Sequence, residues 1–229
     1  MTVDSQPSSW QKWLLPGAGL LFLLSGATSL MYEVAWAKLL TLEFGSAAWS
    51  IATVVASFMA GLGSGGAWAG RRADRIRRPL RVYGFLELGI ALFGMVSGPL
   101  LENIARVLDP LYGLVDGYFA FYLLAQFLLS FVMLVVPTFL MGASLPVLIV
   151  AVSREETFRR NVAVFYGINT LGAAIGTLVA GVFLLSALGI AHTIWVAVAL
   201  GLLVAAGALL LDRSAGPREP SPEHASRDS

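Results

Sequence analysis

Six long apolar stretches, separated by short polar connectors with nearly all the arginine on alternate ones, constrain this chain most. A spanning helix needs about 20 mostly apolar residues. Leu14 to Trp36, Ala47 to Ala69, Val82 to Leu101, Phe119 to about Met141, Val162 to Leu188 and Ala191 to Leu211 meet that length. Lipid offers backbone amides no partner, so such stretches close their hydrogen bonds internally as helices. The expectation is an all-α polytopic membrane protein with six transmembrane helices. The first run is not read as a signal peptide, although Lys12 precedes it. It is too long, lacks a small-x-small cleavage site, and further spans follow.

Composition narrows the function classes. The chain is 57% hydrophobic and 13% charged with a mean hydropathy of +0.78, more apolar surface than a soluble core of 229 residues hides. It has no cysteine, which excludes disulfides, thiolate metal sites and cysteine nucleophiles. Its histidines, His192 and His224, stand far apart, so no zinc site is expected. A net charge of +1 gives no reason to expect nucleic acid as a partner, and no cofactor is expected.

Lysine and arginine set the threading. Lys12, Arg71, Arg72, Arg75, Arg77, Arg78, Arg81, Arg154, Arg159, Arg160, Arg213, Arg218 and Arg227 fall on one side, and only Lys38 and Arg106 on the other. That asymmetry predicts a multi-pass protein of the inner (plasma) membrane with both termini cytoplasmic. The tryptophans are expected at headgroup level. Trp10, Trp13 and Trp68 fall at cytoplasmic ends, and Trp36, Trp49 and Trp195 at outer ends. Residues 1–13 read as a polar N-terminal segment, 14–211 as the helical domain, and 212–229 as a disordered cytoplasmic tail rich in proline, serine and charge. Leu101, Ile104, Leu108 and Leu111 predict a short amphipathic helix on the outer connector.

Several motifs carry two readings. Gly61-Leu62-Gly63-Ser64-Gly65-Gly66 matches a dinucleotide fingerprint by letter, but that motif works only between a strand and a helix. Inside an apolar span, Gly61 and Gly65 read as a close helix-packing face, and Gly172 and Gly176 repeat the spacing. The loop from Gly70 to Arg78 reads as a positively charged topology signal, which wants the arginines but has no need of Asp74. Intramembrane carboxylates are costly and therefore functional candidates. Glu33 lies roughly 12 Å to the outer side of its span's middle, within reach of Lys38 or water, and Glu87 roughly 7 Å to the cytoplasmic side of its own. Asn169 and Met133 fall at about the depth of Glu87. Pro137 and Pro146 free the carbonyls of Met133 and Gly142, so this stretch reads as a bent or broken helix end. Glu87, Asn169, Thr138 and the Met133 carbonyl would together suit a cation or an amine. The competing reading is a protonated Glu87 that merely bonds a neighbouring helix.

Read in order, Leu24-Ser25-Gly26-Ala27, Tyr32 to Leu40, Phe44-Gly45-Ser46, Phe58 to Gly65, Gly70 to Arg75, Pro137 to Pro146 and Tyr166 to Gly176 form a familiar series. It resembles the membrane part of the spermidine-synthase-like fusion proteins, whose helices are major-facilitator-like, over residues 15–210. The Gly70 loop resembles the loop between helices two and three of the major facilitator superfamily, with Arg77 in place of a glycine and Pro79 in place of the last basic residue, and that resemblance implies a cytoplasmic latch built on Gly70, Asp74, Arg75 and Arg78. The resemblance implies half of a major-facilitator-like bundle. The soluble aminopropyltransferase-like part is absent from this sequence, so no enzyme activity is expected. Three functions follow as expectations. The chain is a half-transporter for a small cationic or amine metabolite, completed by a second copy or another membrane protein. Alternatively it anchors a separate soluble transferase-like enzyme, or it is a structural subunit of a larger membrane complex.

Overall fold

The computed structural model describes residues 9–104, 106–108, 119–153 and 155–215, and among these there is no strand. The helices are α1 (Ser9–Phe44), α2 (Ala47–Gly70), α3 (Pro79–Glu102), α4 (Phe119–Val152), α5 (Phe158–Leu178) and α6 (Leu185–Ala215). A π-helical turn, Val179–Leu184, runs α5 into α6, and 3-10 turns occupy Ala73–Arg75 and Glu155–Thr157. Five helical stretches are long and apolar enough to cross a membrane. The fifth, Phe158–Ala215, runs 58 residues. It contains a break at Gly189, whose φ of 78° and ψ of 178° only glycine adopts cheaply.

Local chemistry sets the other boundaries. Gly45, at φ 66°, ends α1 and returns its amide to the Thr41 carbonyl at 3.1 Å. Pro79 opens α3, where its missing amide costs nothing. The helix α4 continues through Pro137 and Pro146 over its 34 residues, so the expected broken end is not present. Hydropathy underestimated several helices. The first begins at Ser9, inside the expected polar segment, and reaches Phe44, past Trp36. The fourth runs to Val152 rather than Met141, and the sixth passes Leu211 to end at Ala215. On the outer connector, Ile104 and Leu108 are buried in the core cluster around Trp36, while Leu111 lies outside the described residues.

Contacts give the helices their directions. Gly61 meets Thr138 and Gly142 meets Leu62, so α2 and α4 run parallel; Gly172 meets Leu23 and Gly176 meets Ala27, so α1 and α5 do too. By contrast Gly17 faces Leu211 and Gly207 faces Leu21, which sets α6 antiparallel to α1. Helix α3 packs along α6 and α4. A side chain at Gly61, Gly65, Gly172 or Gly176 would strike the facing helix, so all four are packing positions, as their spacing predicts.

An aromatic cluster fills the half of the bundle around Trp36. The Trp36 ring stacks on Tyr32 at 5.1 Å and contacts Phe58 and Phe93, and its Nε1 donates to Ser97 Oγ at 3.0 Å. Trp36 is therefore core, not a headgroup anchor, because α1 continues two more turns beyond it. Trp49, Trp68 and Trp195 are about half exposed, as interface residues are.

Candidate functional site

Glu87 is 1% exposed and sits on α3 between α1 and α4. Ser25 Oγ of α1 donates to its Oε1 at 2.7 Å, and Ser144 Oγ of α4 reaches the same oxygen at 3.3 Å. Tyr83, one helical turn earlier on the same face of α3, turns its hydroxyl toward Ser25 and Glu87. Tyr32, two turns further along α1 than Ser25, presses its ring against Gly94, two turns beyond Glu87 on α3. Both tyrosine hydroxyls are buried without a hydrogen bond of proper geometry. Such groups are uncommon in a packed interior, because each costs about 1–3 kcal/mol. No acidic or basic side chain among the described residues is bonded to Glu87.

The sequence-derived set is brought together only in part. Asn169 is half-buried with its carbonyl and Oδ1 against Gly26, next to Ser25. Thr138 lies elsewhere. Its hydroxyl is 2.8 Å from the Leu134 carbonyl and 3.1 Å from that of Ser57, bracing the α2–α4 seam. Met133 packs against the aromatic cluster. The depth alignment fails on α4 because that helix is longer than its hydropathy implied. Ser144, not Met133, is level with Glu87, and the two lie roughly 16 Å apart along the axis. The Gly142 carbonyl that Pro146 frees faces Gly66 of α2. Glu33 is half-buried and makes neither an ion pair with Lys38 nor a hydrogen bond to a described residue. Ser25, Ser144 and the tyrosines were missed. Their available signals were the four-residue spacing of Tyr83 and Glu87, and a serine beside a Gly-Ala pair on both α1 and α4.

The arginine-bearing end holds a second cluster. Asp212 Oδ2 accepts from Arg81 Nε at 3.1 Å and from Arg78 at 3.3 Å, tying the start of α3 to the end of α6. The Asp212 side chain is 3% exposed, whereas those of Arg78 and Arg81 are 38% and 45% exposed. Of the expected latch only Arg78 reaches a distant helix. Gly70, Asp74 and Arg75 are exposed, and Asp74 makes no ion pair with a described residue. Asp212 lies inside α6 and not in the expected tail, although the apolar run stops one residue before it. Arg71, Arg75 and Arg77 are exposed, and Arg72 lies 4.9 Å over the Trp68 ring.

No known family, characterised protein or solved structure matches the chain.

Proposed function

We propose that the chain is a six-span module of the inner membrane with cytoplasmic termini, half of a transporter-like bundle that binds a small cation. A straight helix of 58 residues would measure about 87 Å, nearly three times the hydrocarbon core. The break at Gly189, with α5 parallel and α6 antiparallel to α1, supports two crossings in that stretch.

The observation that carries the reading is an exchange relation among the contacts. Swapping α1–α3 for α4–α6 turns the α1–α5 seam into the α4–α2 seam, and the α1–α6 pair into the α4–α3 pair. Glycine pairs follow the same exchange, Gly172 and Gly176 on α5 against α1, Gly61 and Gly65 on α2 against α4. Secondary transporters are built from such inverted triplets, with the ion or substrate held where the repeats meet. Glu87 occupies that place, held by one serine from each triplet. The test is native mass measurement of the gently solubilised chain, joined to cation flux in vesicles. Pairing with a second copy or a membrane partner, and flux lost in Glu87→Gln, is the expected result. A monomer without flux removes the reading.

A second reading, an anchor for a soluble enzyme, is favoured by the exposed Arg71, Arg75 and Arg77, which make no ion pair among the described residues. Recovery of a soluble transferase-like protein, lost when these arginines are neutralised, would select it.

A further inference from the structure

Three hydroxyl groups face one buried carboxylate: Ser25 bonded to it, Ser144 shared between it and the Leu140 carbonyl, and Tyr83 turned toward it. An ionised carboxylate offers about four acceptor positions and no donor. The three hydroxyls here fall short of that capacity. A protonated carboxyl instead donates one hydrogen bond and needs fewer donors around it. The geometry fits this second arrangement. Both serines converge on Oε1 while the Tyr83 hydroxyl beside them makes no hydrogen bond of proper geometry. The site has one spare donor beside the carboxyl.

The packing leaves no place for a larger ligand. Tyr32 and Tyr83 are 0% exposed and Ser144 is 1% exposed. Helix α6 presents Ala205 and Leu209 to α3 at Gly84, and Gly201 against Ala91, so that side is apolar. On α3 itself the nearest basic group, Arg81, is engaged by Asp212.

We infer that Glu87 is a proton-exchange site, loaded from water and unloaded to water, with Tyr83 as a spare hydroxyl donor that stabilises the ionised state. The step makes or breaks one O–H bond on the carboxyl, and the proton goes to or comes from water. No other bond changes. This rests on the transport reading for its purpose, where the proton would be the driving ion. It is tested without transport, so the two readings fail separately.

The test is infrared titration of the full chain in lipid nanodiscs, following the carbonyl stretch of a protonated carboxylic acid. We expect a band that titrates between about pH 4 and 10 and is absent in Glu87→Gln. Tyr83→Phe, which removes one oxygen and preserves the packing, should shift its midpoint to higher pH by about one unit, since a donor to the ionised form is lost. No titrating band, or a midpoint unmoved in Tyr83→Phe, overturns the proposal. So does a midpoint that falls as sodium is raised, which would mean a metal cation occupies the site.

Discussion

The Asp212 clamp gives the sharpest stability prediction, because its buried and exposed members contribute so differently. Asp212 is 3% exposed and pairs through a single oxygen with two arginines that are 38% and 45% exposed. Charge-assisted hydrogen bonds are worth about 1.5–3 kcal/mol when buried, but solvent screening of half-exposed partners cuts each to about 1 kcal/mol or less. Arg78→Met or Arg81→Met alone should therefore cost about 0.5–1 kcal/mol, since the remaining guanidinium still faces the carboxylate. Removing both leaves a buried charge without a partner, at about 3–5 kcal/mol. The double variant should exceed the sum of the singles by roughly 2 kcal/mol. Adding Asp212→Asn to it should then restore most of the loss. At about 2–4 °C per kcal/mol for a chain of this size, thermal melting of helical circular dichroism in detergent should drop on the order of 10 °C for the double variant. Additive singles, or no recovery on adding Asp212→Asn, would refute the claim that Asp212 is buried and held by these two arginines.

The remaining predictions concern packing and the break. Gly65→Val and Gly176→Val should each cost about 1–3 kcal/mol or more, read as lost thermal stability, because the added side chain meets the Phe139 or Ala27 backbone. Gly63→Val, which faces open space, should leave the melting temperature unchanged. Gly189→Ala should cost about 1–3 kcal/mol from its backbone conformation alone, whereas Gly70→Ala, also in open space but without positive φ, should be near neutral in the same melt.

Much of this architecture was legible because a chain this apolar has few alternatives to long helices. Helix ends were less legible. Hydropathy stops at the first polar residues, but Ala37 to Phe44, Gly142 to Val152 and Asp212 to Ala215 continue as helix. On α4 that error moved the midpoint and put Met133 where Ser144 belongs. The Trp36 assignment failed for the same reason. Glu87 stood out as a charge among apolar residues, whereas its partners did not. Serine and threonine in these helices mostly bond their own preceding turn, as Ser57, Ser130 and Thr177 do, so a hydroxyl that reaches another helix looks no different in sequence. Asp212 was hidden by its position just past an apolar run.

Glu87 and Asp212 are the only buried carboxylates among the described residues, and both act through α3. Arg78 and Arg81 hold the start of that helix to α6, while Glu87 holds its middle to α1 and α4. Arg81 and Glu87 are six residues apart, about 9 Å along the axis. A rigid helix cannot keep one set of bonds while shifting by several ångströms at the other. Any motion that opens α3 from α6 at the arginine-bearing end must therefore alter the hydroxyl shell around Glu87. Conversely, a change of charge at Glu87 alters the donors that α1 and α4 present to α3. The clamp and the carboxylate are two ends of one lever, and weakening Arg78 and Arg81 together should displace the Glu87 titration as well as the melting temperature.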